Sequence, residues 1–280
     1  MSRRFAAGTA VGATLVLTLT GCLGDSGSGS AGSGVQLTAA QVLEKASQKT
    51  SAVETYAADL TMNVGTPEGA MDMHGTARFR TKPSTAFTMT IDKMTVGGRS
   101  LPTSSIQMIY LDKVIYVKMP QLTQASSTAK PWVKVDLTQA GQQAGLNLDS
   151  LLNSSKQADP AEQTKMFTAS KDVREVGKET IDGVKTTHYT GSITVAEAMG
   201  KLDAQTRQQL QKIYNQIGAT KINFDLWADS QQLPRKLSTK VNVQQGTMTS
   251  TIVYRDYGKP VSVSAPPADQ VGDLQGLTGH

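Results

Sequence analysis

The stretch Tyr56-Ala57-Ala58-Asp59-Leu60-Thr61-Met62-Asn63-Val64 places an apolar side chain at every second position and small or polar ones between. A period of two is the mark of a β-strand with one face toward a core and the other toward water. The pattern recurs downstream. Met71, Met73, Ala77 and Phe79 alternate with Asp72, His74, Thr76 and Arg78, and Phe87, Met89 and Ile91 alternate with Thr88 and Thr90. Gly65-Thr66-Pro67, Lys82-Pro83-Ser84 and Gly97-Gly98 punctuate these runs. Connections this short join antiparallel neighbours. Further strands are expected at 105–111, 113–118, 131–136, 173–181, 185–193, 221–228, 235–244 and 247–257. Asp182-Gly183, between two of them, is a strong two-residue hairpin signal.

Helical spacing interrupts the strands. Thr38 followed by Gln41 is a capping-box pattern, and Val42, Leu43 and Ala46 share one side of a helix expected over 39–52. Leu148, Leu151 and Leu152 suggest a turn or two. Asp159-Pro160-Ala161-Glu162 opens a helix running to about 169. Asp203 caps another over 204–217, with Leu210, Ile213, Tyr214 and Ile217 along one side and Gly218 at its end. Roughly ten strands with a few helices in two places give an α+β class: a large, curved, mostly antiparallel sheet with helices on one face.

The N-terminal stretch is of a different kind. MSRRFAAGTAVGATLVLTLTGC (residues 1–22) has two early arginines, an uncharged run from Phe5 to Thr20, and small residues before Cys22. These are the features of a secretory signal, and the apolar run is shorter than the ~20 residues of a spanning helix. Leu19-Thr20-Gly21-Cys22 reads as a bacterial lipobox, in which the thiol is diacylated and the chain is cut before it. Cys22 is the only cysteine in 280 residues, so its acylation leaves no thiol for a disulfide. LGDSGSGSAGSG (residues 23–34) cannot form a core and reads as a flexible tether. The division is therefore 1–21 signal, 22–34 lipid anchor and tether, 35–267 folded domain, and 268–280 polar C-terminal tail. The expected location is the outer face of the cell membrane.

Composition excludes some functions. The net charge of +5 is mild, and no block of five or more like charges occurs, which argues against nucleic acid as a partner. No Gly-x-Ser-x-Gly elbow, metal-spaced His or Cys pair, or phosphate-cradling glycine loop is present. His74 falls on a polar strand side, His188 in a Thr-Thr-His-Tyr strand, and His280 at the terminus. No catalytic residue, metal or cofactor is expected. Aromatic residues make up only 5% of the chain, against 11 methionines. Methionine adapts to irregular apolar shapes.

The stretch Val176-Gly177-Lys178-Glu179-Thr180-Ile181-Asp182-Gly183-Val184-Lys185-Thr186-Thr187-His188-Tyr189, with Asp159-Pro160 before it, resembles the LppX/LprA/LprF/LprG lipoproteins of actinobacteria. So does Leu226-Trp227-Ala228-Asp229 followed by Leu233-Pro234-Arg235-Lys236. The resemblance runs in order from about residue 37 to 267. It implies a β half-barrel, similar to the LolA and LolB carriers, whose helices cover the concave face and enclose an apolar cavity. It also implies a role in binding acylated lipids or glycolipids and moving them through the envelope. The alternative is an anchored sensor or interaction module of the same fold, with a protein partner and no transport role. Candidate cavity-wall residues are Leu60 and Met62 on the first strand, and Met71, Met73 and Phe79 on the second. Phe87, Met89 and Ile91 follow on the third, then Phe224 and Leu226, and then Val241 and Val243.

Overall fold

Thr38 closes a capping box with Gln41, its hydroxyl accepting from the Gln41 N–H while the Gln41 side chain accepts from the Thr38 N–H. The helix that follows, α1 (Ala39–Ser51), buries Val42, Leu43 and Ala46 on one side. The computed structural model describes residues 37–67, 69–101, 106–119, 130–137, 160–244 and 246–273. The expected helical turn at 148–152, Cys22 and the tether lie outside the described residues.

After α1 comes a meander: β1 (Thr55–Thr66), β2 (Gly69–Arg80), β3 (Ala86–Val96), β4 (Arg99–Leu101), β5 (Ile106–Leu111), β6 (Val114–Lys118) and β7 (Trp132–Asp136). Helix α2 (Pro160–Phe167) precedes the hairpin of β8 (Arg174–Ile181) and β9 (Val184–Thr194). Helices α3 (Val195–Met199) and α4 (Ala204–Ile217) follow, and then β10 (Lys221–Asp229), β11 (Pro234–Val243) and β12 (Gly246–Arg255). Past a 3-10 turn at Ala268–Gln270 the described chain ends in β13 (Val271–Asp273).

Among the described residues all thirteen strands join one curved, open sheet in the order β13-β7-β6-β5-β3-β2-β1-β12-β11-β10-β9-β8, with β4 on β3. Two meanders therefore meet in the middle, where Ala57 lies opposite Arg255 and Gly65 opposite Thr247. Every pairing is antiparallel except that of β13 with β7. The strand count exceeds the sequence expectation because β4 and β13 are three residues long. The sheet also runs past the expected boundary at 267: Val271–Asp273, assigned to the polar tail, forms an edge strand beside Trp132, Val133 and Lys134.

The helices cover one face. Leu43 and Ala46 of α1, Phe167 of α2, Val195, Ala198 and Met199 of α3 and Leu210 of α4 share a single core cluster with Phe224, Leu226, Leu237 and Ile252 from the sheet. Among the described residues no helix is long and apolar enough to cross a membrane.

Two motifs of the resemblance have a local structural account. Asp182 (φ 46°) and Gly183 (φ 79°) form the β8–β9 turn. The Asp229 carboxylate is buried and accepts from the Gln231 and Leu233 N–H groups at 2.8 and 3.0 Å. It also accepts from Arg235 Nε at 2.8 Å and Nη2 at 2.7 Å. A buried carboxylate needs this many donors to offset its lost hydration. Tyr257 completes the corner by donating its hydroxyl to the Pro234 carbonyl at 2.7 Å.

Helix α3 carries a pH dependence. Thr194 and Glu197 form its capping box, and Lys171 reaches Glu197 at 2.9 Å from the loop after α2. The Lys171 hydrogen bond, followed by those from Thr194, lowers the Glu197 carboxyl from 4.5 to about 2. A depressed folded-state value means stability that is present above the unfolded value and lost as pH falls through the folded one. The expected result is that Glu197→Gln melts below the parent protein at neutral pH. The gap should close as pH falls from 4.5 to about 2. Melting curves across that window check it, and a gap that stays constant down to pH 2 would refute it.

Candidate ligand-binding face

The helix-side face of the sheet has a sealed part and a part left half-open. In the sealed part an aromatic row crosses four strands. Tyr56 stacks on Phe79 with centroids 4.8 Å apart, Phe79 meets Phe87 at 5.5 Å, and Phe87 stacks on Tyr110 at 5.5 Å. These contacts follow directly from pairing, since Tyr56 lies opposite Phe79, Phe79 opposite Phe87, and Phe87 opposite Tyr110. Under the helices, Phe224 stacks on Phe167 of α2 at 4.4 Å. Five wall candidates thus pack into the core against other side chains: Phe79, Phe87, Phe224, Leu226 and Val241, none more than 5% exposed.

The other seven candidates, Leu60, Met62, Met71, Met73, Met89, Ile91 and Val243, are only partly buried. Most of them share the middle of the first meander. Met62 lies opposite Met73, and Met73 opposite Met94; Val64 lies between Met71 and Met248. Leu60 lies opposite Gly75, Gly75 opposite Ile91, and Ile91 opposite Ile106. The rim beyond is more open, with Val96 46% and Leu101 43% exposed. The result is a band of flexible thioethers and aliphatic groups on an otherwise closed apolar surface.

Met94, Ile106, Met108 and Met248 belong to this band and were not among the sequence candidates. Met94 was hidden by a β-bulge. His74 pairs with Lys93 and Gly75 with Ile91, so Asp92 is the extra residue and the alternation resets behind it. Ile91 and Met94 therefore share a face despite their odd spacing, and β3 runs to Val96 rather than stopping near 91. Gly75 permits the bulge: a Cβ there would lie 2.8 Å from the Thr90 carbonyl oxygen. Asp92 turns outward to contact His74 Nδ1 at 3.3 Å.

The opposite face is polar. His188 stacks on Trp227 at 4.2 Å, with Nε2 2.9 Å from Asp225 and Nδ1 3.0 Å from Glu179. Lys236 Nζ sits 4.3 Å from the centroid of the same indole. The imidazole is thus the middle of a cross-strand stack tying β8 to β11. Two clefts accompany these faces. One of about 580 Å³ lies on the outer side of the central strands. The other, about 610 Å³, lies between α1 and the β10–β11 turn, lined by Leu37, Lys45, Lys49 and Leu233 among others.

No protein-family profile matches the chain. In sequence it is 27% identical over 239 residues to an uncharacterized 31.2 kDa protein in the rplA–rplJ intergenic region of Streptomyces griseus, covering 83% of this chain and 78% of that one. It is 29% identical over 183 residues to a candidate lipoprotein of Streptomyces coelicolor, covering 64% of this chain and 55% of that protein. Among solved structures it is similar to the lipoprotein LppX of Mycobacterium tuberculosis, with a TM-score of 0.48 and 12% identity over 81% of this chain and 98% of that one. It is also similar to LprF of Mycobacterium bovis, with a TM-score of 0.47 and 16% identity over 81% and 96%. The likeness is one of fold.

Proposed function

We propose that this protein is an exported lipoprotein. In this reading it is acylated at Cys22, held at the outer face of the cell membrane through residues 22–34, and binds an acylated lipid or glycolipid on its methionine-rich face. The observation that carries the reading is the half-covered band of Leu60, Met62, Met71, Met73, Ile91 and Met94 beside a fully packed helical core. Each methylene of an acyl chain costs ~0.8 kcal/mol to hold in water. A band of this kind replaces water around the chain without demanding one shape, because methionine side chains re-pack readily. No bond is made or broken. The protein exchanges one apolar environment for another and so carries or presents the lipid.

The test is native mass spectrometry of the full-length protein purified from its own host, compared before and after organic extraction. A bound mass beyond the acyl anchor that leaves with the solvent, and returns when host lipids are added, is the expected result. A protein that carries only its anchor, and takes up nothing from added host lipids, would overturn the lipid-binding reading in favour of the protein-partner alternative.

A further inference from the structure

We infer that the outer, polar face of the sheet carries a second binding site, selective for a phosphate-bearing polyol. The site is the cleft of about 580 Å³ on the outer side of β12, β1, β2 and β3. It is independent of the lipid-binding reading, because the sheet separates it from the methionine band.

Register builds the cleft. One cross-strand row reads Arg255, Ala57, Arg78, Thr88, and the next reads Asp59, Thr76, Thr90. Short side chains (Ala57, Thr76, Thr88, Thr90) make the floor, and long ones (Arg78, Arg255) stand at its sides. That difference in length makes a depression on a face that would otherwise be level.

The charges around it balance in number, three cations against three acids, but not in pairing. Arg255 is paired with Asp59 and lies 3.9 Å from Asp182. Asp256 is paired with Lys259 at 2.6 Å. That lysine, ahead of Arg255 and Arg78, lowers the Asp256 carboxyl. Arg78 is exposed and acts on Asp256 only through space, since Lys259 holds that carboxylate directly; among the described residues no acid pairs with Arg78 itself. One guanidinium is thus left to receive an anion. Its planar fork matches two oxygens of a phosphate, and the three threonine hydroxyls, each able to donate and accept, suit the hydroxyls of a polyol. The paired Asp59 on the rim disfavours a larger polyanion. The same chemistry occurs in a free sugar or glycerol phosphate and in the glycerophosphate headgroup of a lipid.

The test uses the full-length protein in mild detergent and follows heteronuclear NMR shifts of arginine Nε–Hε groups. One arm titrates glycerol 3-phosphate. The other titrates short-chain phosphatidylglycerol into the same detergent solution, against phosphatidylcholine of the same chain length. Saturable binding of glycerol 3-phosphate that moves the Arg78 resonance, weakened at least tenfold in Arg78→Gln and severalfold in Thr90→Val, is expected. If phosphatidylglycerol, and not phosphatidylcholine, also moves the Arg78 resonance, the source is a headgroup; if it does not, it is a soluble phosphate. Binding to neither probe, or equal binding by Arg78→Gln, would overturn the site. Arg78 is exposed, so Arg78→Gln is expected to keep the parent melting temperature, and Arg78→Lys serves as a second variant that keeps the charge but loses the fork.

Discussion

Alanine at Phe224 is expected to lower the unfolding free energy by about 3–5 kcal/mol, the upper range for a buried ring. Phe224 has no exposed surface and stacks on Phe167 at 4.4 Å with the rings 24° apart. The cost has two parts, the lost transfer of the ring from water and the void it leaves. The void cannot close easily. On one side is the β-sheet, and on the other is α2, itself braced by α1. Beneath the ring, position 191 is a glycine, and a Cβ there would stand 2.7 Å from Phe224 Cζ, so the site is fitted to the ring. Urea unfolding with an unchanged m-value checks the prediction. A loss under ~1 kcal/mol would mean that α2 is not seated on the sheet. Phe167→Ala and the double variant should be strongly non-additive, since the two rings share one contact.

Aspartate at Met73 is expected to abolish retention of an acyl lipid while leaving the fold nearly intact. Met73 lies in the Met62, Met73, Met94 row and is only partly buried, so in the empty protein the new carboxylate keeps access to water. An acyl chain laid over it would strip that water, and burying an unpaired charge costs several kcal/mol. The expected outcome is a loss of bound lipid of more than ~100-fold, with a stability change within ~1 kcal/mol. Thr61→Asp, placed on the outer face of the neighbouring strand, should retain lipid normally. The measurement is the extractable lipid mass per protein for the parent and both variants. Equal retention in Met73→Asp would move the ligand off this face.

Much of this architecture is legible in the alternation of residues. The three long strands of the first meander, the Asp182-Gly183 turn and the helix over 204–217 each carry a pattern long enough to stand out from noise. Strands β4 and β13 do not, because three residues show no period. β13 exists only through its pairing with β7, which no local signal announces. Alternation also says which face is apolar, but not which part of that face a helix will cover. Phe79 and Met71 lie on the same side of one strand, yet Phe79 is sealed within an aromatic row and Met71 stays half-open. That difference is set by residues distant in the chain. Met94 was missed for a different reason, since one extra residue at Asp92 inverts the phase. Arg78 was readable only as a wet position. Its isolation depends on Asp59 and Asp256 having found other partners, which is a fact of tertiary structure.

The meeting of β1 and β12 at the centre of the sheet bears on how the chain can be made. Ala57 is made long before Arg255, so the described pairing with the longest loop to close is also the middle of the sheet. Until β12 arrives, β1 offers a bare row of amide and carbonyl groups beside an apolar face, the arrangement most open to wrong strand partners. A chain made N-terminus first passes through this state each time it folds. Folding speed should then depend on the last strands to emerge, so truncations that remove β12 are expected to accumulate as aggregates rather than as a shorter folded domain.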